Sequence, residues 1–140
     1  MTQIDFYTHA PDRLTTACRL TAKARSQGLR VTLFVPDPTL AAELDTLLWT
    51  TPAASFLPHC APTDPLAAQT LIHIDTTGET QHHDDLLINL HSSMPSTFSR
   101  YQRLVEIVSS DEADRVQARD RYKFYRDRGY AIKTHDLSAK

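Results

Sequence analysis

The stretch that decides the fold is QIDFYTHAPDRLTTACRLTAKARSQGLRVTLFV, residues 3–35. It opens with alternating polar and apolar residues at 3–7, a pattern that is typical of a strand. A helix is predicted at 11–27, because Pro11 suits the first turn of a helix and Gly28 suits the cap that follows the last turn. The β-branched and apolar run at 30–35 predicts a second strand. This order and spacing indicate a right-handed βαβ unit in a parallel sheet.

The rest of the chain continues the alternation of strands and helices. Further strands are predicted at residues 70–75, 86–90 and 104–108, with a last extended segment at 130–137. Further helices are predicted at residues 39–49 and as a short turn around Phe98 and Tyr101. A long helix begins at Ser109 or Ser110, since Ser109 and Glu112 have capping-box spacing, and Gly129 ends it. We expect one domain, residues 1–140, of the α/β class with a mostly parallel sheet.

The composition is that of an ordinary soluble globular protein, with 41% hydrophobic and 23% charged residues. Because the chain contains no apolar run near the length of a membrane-spanning helix, no membrane association is expected. The N-terminus, MTQIDFYTHA, lacks the pattern of a signal peptide, so a cytoplasmic protein is expected. Cys18 and Cys60 match no zinc or redox motif and are expected to be reduced thiols, buried or half-buried.

Positive charge is concentrated near the C-terminus. Residues 1–99 carry five Arg or Lys against ten Asp or Glu, whereas residues 100–140 carry ten against seven. The most basic segment, RDRYKFYRDRGY at 119–130, also holds three tyrosines and a phenylalanine. A change of sign along one domain predicts a local basic patch rather than a uniformly charged surface.

The predicted long helix presents a cationic stripe with an aromatic ring in it. Helical spacing places four residues on one face: Arg115, Arg119, Tyr122 and Arg126. Lys123 lies beside them, and the preceding strand ends in Val108, which can supply apolar contact.

Three interpretations of this stripe are open. It could bind an acidic peptide that carries an apolar anchor, since arginine binds carboxylates with two hydrogen bonds. It could bind single-stranded nucleic acid with a base stacked on Tyr122, although the acidic remainder of the chain disfavours tight non-specific binding. It could also be a solvated surface with intrahelical pairs such as Asp111–Arg115 or Asp120–Lys123.

Little in the sequence indicates an enzyme. One cluster has metal-ligating residue types: His73, Asp75, His82, His83, Asp84 and Asp85. Its spacing matches no familiar motif, and a solvated loop at 78–85 is the favoured interpretation; a small metal-dependent or nucleotide-using enzyme is the remaining alternative. The chain has three glycines and no glycine-rich phosphate loop, so we expect no nucleotide cofactor. We expect no other cofactor, and no bound metal because the spacing of the cluster matches no metal motif.

A second candidate surface lies in WTTPAASFLPH, residues 49–59. Trp49 and Phe56 are the bulky side chains of this irregular stretch. They could fold back into the core, or they could form an exposed apolar surface for a partner protein, where aromatic residues often dominate binding.

Three stretches together resemble the chi subunit of bacterial DNA polymerase III holoenzyme. They are LWTTPAASFLPH (48–59), DDLLINL (84–90) and RLVEIVSSDEADRVQARDRYKFYRDRGYAIKTHDL (103–137). The resemblance implies a non-catalytic adaptor in DNA replication with a three-layer α/β/α, nucleotide-fold-like architecture that lacks a phosphate-binding loop. It also implies two partners: the psi subunit, which links such proteins to the clamp loader, and the acidic C-terminal tail of single-stranded DNA-binding protein, which ends in Phe.

The resemblance also assigns residues to these partners. It implies tail binding by Val108, Arg115, Arg119, Tyr122, Lys123 and Arg126. Arg119 would bind the terminal carboxylate, with Val108 and Tyr122 as the walls of a pocket for the terminal Phe. Contacts with psi would come from Trp49, Pro52, Phe56 and Leu57, and a repair helicase is a further candidate for that side. The alternative is a direct single-stranded nucleic-acid binder that uses the basic helix at 115–128.

Overall fold

All strands of the described chain join one parallel sheet. A computed structural model describes residues 2–50, 58–78 and 81–137. Within these ranges the six strands are β1 Gln3–Ala10, β2 Val31–Phe34, β3 Ile72–Asp75, β4 Leu86–Asn89, β5 Arg103–Ser109 and β6 Ile132–Asp136. Their order across the sheet is β3-β2-β4-β5-β1-β6, and every pairing is parallel. The predicted α/β class and parallel sheet are therefore confirmed.

Helices cover both faces of this sheet. The three helices are α1 Arg13–Ser26, α2 Pro38–Thr50 and α3 Glu112–Asp127, and short 3-10 turns lie at Ala67–Gln69 and Phe98–Arg100. The helices α1 and α2 bury Cys18 and Leu44 in one core cluster, while α3 buries Ala118 and Tyr125 in a second cluster. The three-layer α/β/α architecture follows from this division. No helix of the described residues is long and apolar enough to cross a membrane.

The alternation of side chains along β5 links the two cores. Val105 and Ile107 belong to the cluster under α1 and α2, and Leu104 and Val108 belong to the cluster under α3. Because successive side chains point to opposite faces, Glu106 faces α3 as well. An acidic side chain thus enters the core between two apolar neighbours on the same face.

The start of α3 differs from the prediction. Neither Ser109 nor Ser110 caps the helix: Asp111 is the N-cap, and its Oδ2 accepts a hydrogen bond from the Asp114 amide at 3.2 Å. Ser109 instead donates from its own amide to Asp114 Oδ2 at 2.8 Å. An aspartate is as good an N-cap as a serine, so the capping-box spacing alone does not decide between the two. Gly129, with φ of +83°, follows the helix as predicted.

The carboxyl ends of the strands form one edge of the sheet, where loops meet the first turns of the helices. Arg13, in the first turn of α1, bridges two neighbouring strands at this edge. Its guanidinium donates from Nη2 to the Leu90 carbonyl at 2.8 Å and from Nε to the Ile107 carbonyl at 3.2 Å. The ends of β1, β5 and β6 are left open beside α3, and this opening contains the candidate site.

Candidate functional site

A pocket of about 220 Å³ opens between α3 and the carboxyl ends of β1, β5 and β6. Its apolar wall is made by Phe6, Val108, Ala118 and the Tyr122 ring. The Tyr122 ring contacts the Phe6 ring edge-to-face, with centroids 5.2 Å apart. The side chains of this wall therefore support one another without a ligand. An apolar cavity of about 150 Å³ is enough to bind benzene. The pocket can therefore accept one aromatic side chain and part of its backbone.

Cationic side chains stand at the rim of the same pocket. Arg115 and Arg119 both line it from α3. Arg115 pairs with Glu112 at 3.3 Å rather than with Asp111, and both partners are largely exposed, so the pair is weak. Arg119 is exposed and makes no hydrogen bond or ion pair with any residue in the described ranges. Its guanidinium is therefore available to a carboxylate.

The structure brings four of the six predicted tail-binding residues together: Val108, Arg115, Arg119 and Tyr122. Lys123 and Arg126 are exposed on α3 but do not line the pocket. Arg126 pairs with its neighbour Asp127 at 3.3 Å. Among the described residues, the predicted Asp120–Lys123 pair does not form.

A buried ionic network lies under the same helix, and the sequence analysis missed it. Glu106 is fully buried and accepts hydrogen bonds from Arg121 Nε at 3.1 Å, Tyr125 Oη at 2.7 Å and Asn89 Nδ2 at 3.0 Å. Burial raises the pKa of the Glu106 carboxyl, and the Arg121 charge together with these hydrogen bonds opposes that rise. Burial also raises the pKa of Tyr125, as does the neighbouring Glu106. The network ties α3 to β4 and β5 and so fixes the helix that carries Arg119.

The signal for this network was present in the sequence. Glu106 is an acid in the middle of an apolar strand, LVEIV at 104–108. A carboxylate at such a position requires a buried cation or several hydrogen-bond donors. Arg121, buried to 96%, supplies the cation.

The described histidines of the histidine-rich segment form hydrogen bonds and ring contacts within the fold. The described residues contain no group of three or more side chains that could hold a metal ion. His73 Nε2 donates to the Ala67 carbonyl and His82 Nε2 to the Pro62 carbonyl, each at 2.8 Å. The prediction of a solvated loop was wrong for His83, which is buried, because it packs against Tyr101 and bonds to Thr32.

The hydrogen bonds of His83 show which ring nitrogen carries the proton when the side chain is neutral. Its Nδ1 accepts from the Asp85 amide at 3.1 Å, so the proton is on Nε2, which donates to Thr32 Oγ1 at 3.0 Å. Burial lowers the pKa of His83 to about 4, and the attraction of Asp85 opposes this only in part. The side chain thus stays uncharged at neutral pH.

Of the residues predicted for the second candidate surface, at 49–59, only Trp49 lies within the described part of the chain. Trp49, in the last turn of α2, leaves 48% of its area exposed and contacts His59 in a tilted ring arrangement with centroids 4.4 Å apart. His59 Nε2 lies 2.9 Å from Asp45 Oδ1. The other three residues predicted for this surface, Pro52, Phe56 and Leu57, lie outside the described residues.

Comparison with known proteins gives one consistent result. The family model described as "DNA polymerase III chi subunit, HolC" matches residues 1–133. The chain is 37% identical to the DNA polymerase III subunit chi of Pseudomonas aeruginosa over 98% of both chains. It is 30% identical to the subunit chi of Haemophilus influenzae, over 86% of this chain and 85% of the relative. It is also 30% identical to that of Escherichia coli, over 84% of this chain and 80% of the relative. The chain therefore belongs to the family of DNA polymerase III chi subunits, which act in DNA replication.

Proposed function

We propose that this chain, as a single domain, is a non-catalytic cytoplasmic adaptor of DNA polymerase III with two binding surfaces. One surface binds the acidic C-terminal tail of single-stranded DNA-binding protein. The other binds the psi subunit and thereby links the chain to the clamp loader. The observation that carries the proposal is the apolar pocket of about 220 Å³ with Arg119 at its rim, a side chain that pairs with none of the described residues.

The tail would bind through its last residue. The terminal Phe ring would enter the pocket between Val108 and Tyr122, and Arg119 would hold the terminal carboxylate with two hydrogen bonds. Arg115 and Lys123 would meet aspartates upstream of the Phe, with Arg126 as the outermost cation. These side chains form a local basic surface on a chain whose formal net charge is −2. Because part of the affinity is electrostatic, it should decrease with salt.

The same geometry makes nucleic acid the weaker candidate. A single-strand binder stacks successive bases on exposed aromatic faces along a basic groove. Tyr122, the aromatic residue of the stripe, instead packs against Phe6 and forms part of the wall of one open pocket. That arrangement suits the insertion of a single ring.

The psi-binding surface would be centred on Trp49. Its ring is half exposed, and its contact with His59 holds it in place at the end of α2. A large and pre-positioned aromatic side chain is the usual centre of a protein interface. Pro52, Phe56 and Leu57 would extend the surface, and a repair helicase could compete for it.

A calorimetric titration tests the tail-binding proposal. The titrant is a ten-residue acidic peptide that ends in Phe with a free carboxylate. Its controls are the same peptide with an amidated C-terminus and a single-stranded oligonucleotide. Binding that requires the free carboxylate and weakens with salt supports the adaptor. Binding of the oligonucleotide but not of the peptide would overturn it and reassign the helix to nucleic acid.

A further inference from the structure

His9 lies at the mouth of the pocket in an unusual backbone conformation. It is the one non-glycine residue of the described chain with a positive φ, at +58°. The pairing of β1 with β5 is irregular between Tyr7 and Ala10, so the end of β1 leaves the regular sheet here. Histidine is one of the few residues that tolerate the left-handed region. The result is that His9 lines the pocket together with Val108 and Arg119.

Asp136 on β6 fixes the tautomer of this histidine. His9 Nδ1 lies 3.0 Å from Asp136 Oδ1, and both side chains are about half exposed. An ionised carboxylate can only accept hydrogen bonds, so the proton of the ring is on Nδ1. When the ring is neutral, Nε2 therefore carries a lone pair and cannot donate to a ligand.

This arrangement has a consequence for an anionic ligand. A carboxylate in the pocket cannot bond to the lone pair on Nε2, and it is also repelled by the charge of Asp136. Uptake of one proton on Nε2 removes both obstacles, because the ring becomes a donor on both nitrogens and the His9–Asp136 pair becomes neutral overall.

We propose that His9 is a further binding residue of this pocket, which donates from protonated Nε2 to a carboxylate of the acidic peptide, so that binding takes up a proton. The inference rests on the proposed tail-binding function. It makes the affinity of the pocket rise as the pH falls through the range in which histidines titrate.

The other charged groups around His9 modulate this proton uptake. They are Asp136 on β6, Arg115 and Arg119 on α3, and Asp12 and Asp114 near the first turns of α1 and α3. Asp12 is occupied in capping α1, and Asp114 accepts from Ser109. The two arginines carry positive charge and the incoming carboxylates carry negative charge, so peptide binding makes the surroundings of His9 more negative. The empty and occupied pockets therefore differ in their affinity for the proton.

Calorimetry on the full chain tests this directly. The acidic peptide ending in Phe is acetylated at its N-terminus, which removes its amino group from the titration. Binding is measured at pH 6.0 and 7.5 in two buffers of different ionisation enthalpy. We expect association with the wild type to be about fourfold stronger at pH 6.0 than at pH 7.5. The His9→Asn variant, which tolerates a positive φ, should lose both this gain and the proton uptake.

A matched control separates His9 from the other histidines. His82 lies at the opposite edge of the sheet, in the loop before β4, and the His82→Asn variant should keep the full pH dependence. Peptide binding with no proton uptake, or with the same uptake in His9→Asn as in the wild type, would overturn the role of His9 and leave the tail pocket intact. Absence of peptide binding at both pH values would instead overturn the proposed function, and the inference with it.

Discussion

The Arg121 guanidinium donates from Nε to Glu106 Oε1 at 3.1 Å, and both side chains are almost completely buried. Two residues earlier on the same helix, Arg119 is exposed at the rim of a pocket. The basic helix α3 therefore holds two kinds of arginine. One neutralises an acid in the core and holds the helix on the sheet, and the other is available to a partner.

Removal of the buried acid should destabilise the fold strongly. In Glu106→Ala, Arg121 would remain buried without its counter-charge, and Tyr125 would lose its acceptor. We expect the free energy of unfolding in urea to fall by about 3–5 kcal/mol. The double variant Glu106→Leu with Arg121→Met removes both charges and should recover much of the loss. A single variant as stable as the wild type would contradict the role given to the network.

The exposed arginine should matter for binding and not for stability. Arg119→Ala should weaken binding of the acidic peptide by about 30-fold or more, because it removes the partner of the terminal carboxylate. Its unfolding midpoint should be nearly unchanged, since the side chain is exposed. Arg128→Ala is the matched control: it removes the same charge near the end of the same helix, outside the pocket. Equal losses in the two variants would mean that only net charge matters.

The proposed psi-binding surface is tested by a second pair of variants. Trp49→Ala should weaken capture of the psi subunit by about 30-fold or more, as expected for a central aromatic contact. Leu66 is another exposed large apolar residue, at 60%, and Leu66→Ala should bind psi normally. Surface plasmon resonance with immobilised psi would measure both. If Trp49→Ala bound as tightly as Leu66→Ala, the interface would have to lie elsewhere.

The buried histidine predicts a pH dependence of stability. The pKa of His83 is about 4 in the folded chain, whereas the ordinary pKa of histidine, which applies to the unfolded chain, is 6.5. Between these two pH values the unfolded chain therefore binds more protons than the folded chain. The free energy of unfolding should therefore fall as the pH is lowered through this window. Allowing for partial screening by solvent, we expect His83 to contribute about 1–2 kcal/mol of the loss between pH 7.5 and 5.0.

Urea unfolding of His83→Gln at the same two pH values isolates this contribution. The variant should be less stable at pH 7.5, because it loses the bonds to Thr32 and Asp85, but its stability should depend less on pH. His82→Gln, a change in the neighbouring exposed histidine, should keep the full dependence. An unchanged slope in His83→Gln would show that other groups cause the acid sensitivity.

The order of elements could be predicted from the sequence because each element has a clear local signal. The alternation in β1, the β-branched run in β2 and the glycine after α3 need no tertiary information. Local signals of this kind do not determine which side of α3 faces the core. The structure buries Ala118 and Tyr125 but leaves Val116 44% exposed. The buried Glu106 selects this rotation, through its bonds to Arg121 and Tyr125.

Only one wall of the candidate pocket could be predicted from the sequence. Val108, Arg119 and Tyr122 lie close together in the sequence, and both helical spacing and the family resemblance indicate them. Phe6 and His9 belong to the first strand, far away in the chain, and reach the pocket only because β1 pairs with β5. No local pattern contains that information, so the opposite wall of the pocket appears only with the fold.

The most direct test is an isotope-filtered NOE experiment on the ¹³C-labelled chain with the unlabelled acidic peptide. Insertion of the terminal Phe predicts contacts from its ring protons to the methyl groups of Val108 and Ala118. Another groove on α3, on its other side, is lined by Met94 and Phe124. Contacts from the terminal Phe to Met94 and Phe124, with none to Val108, would contradict the account.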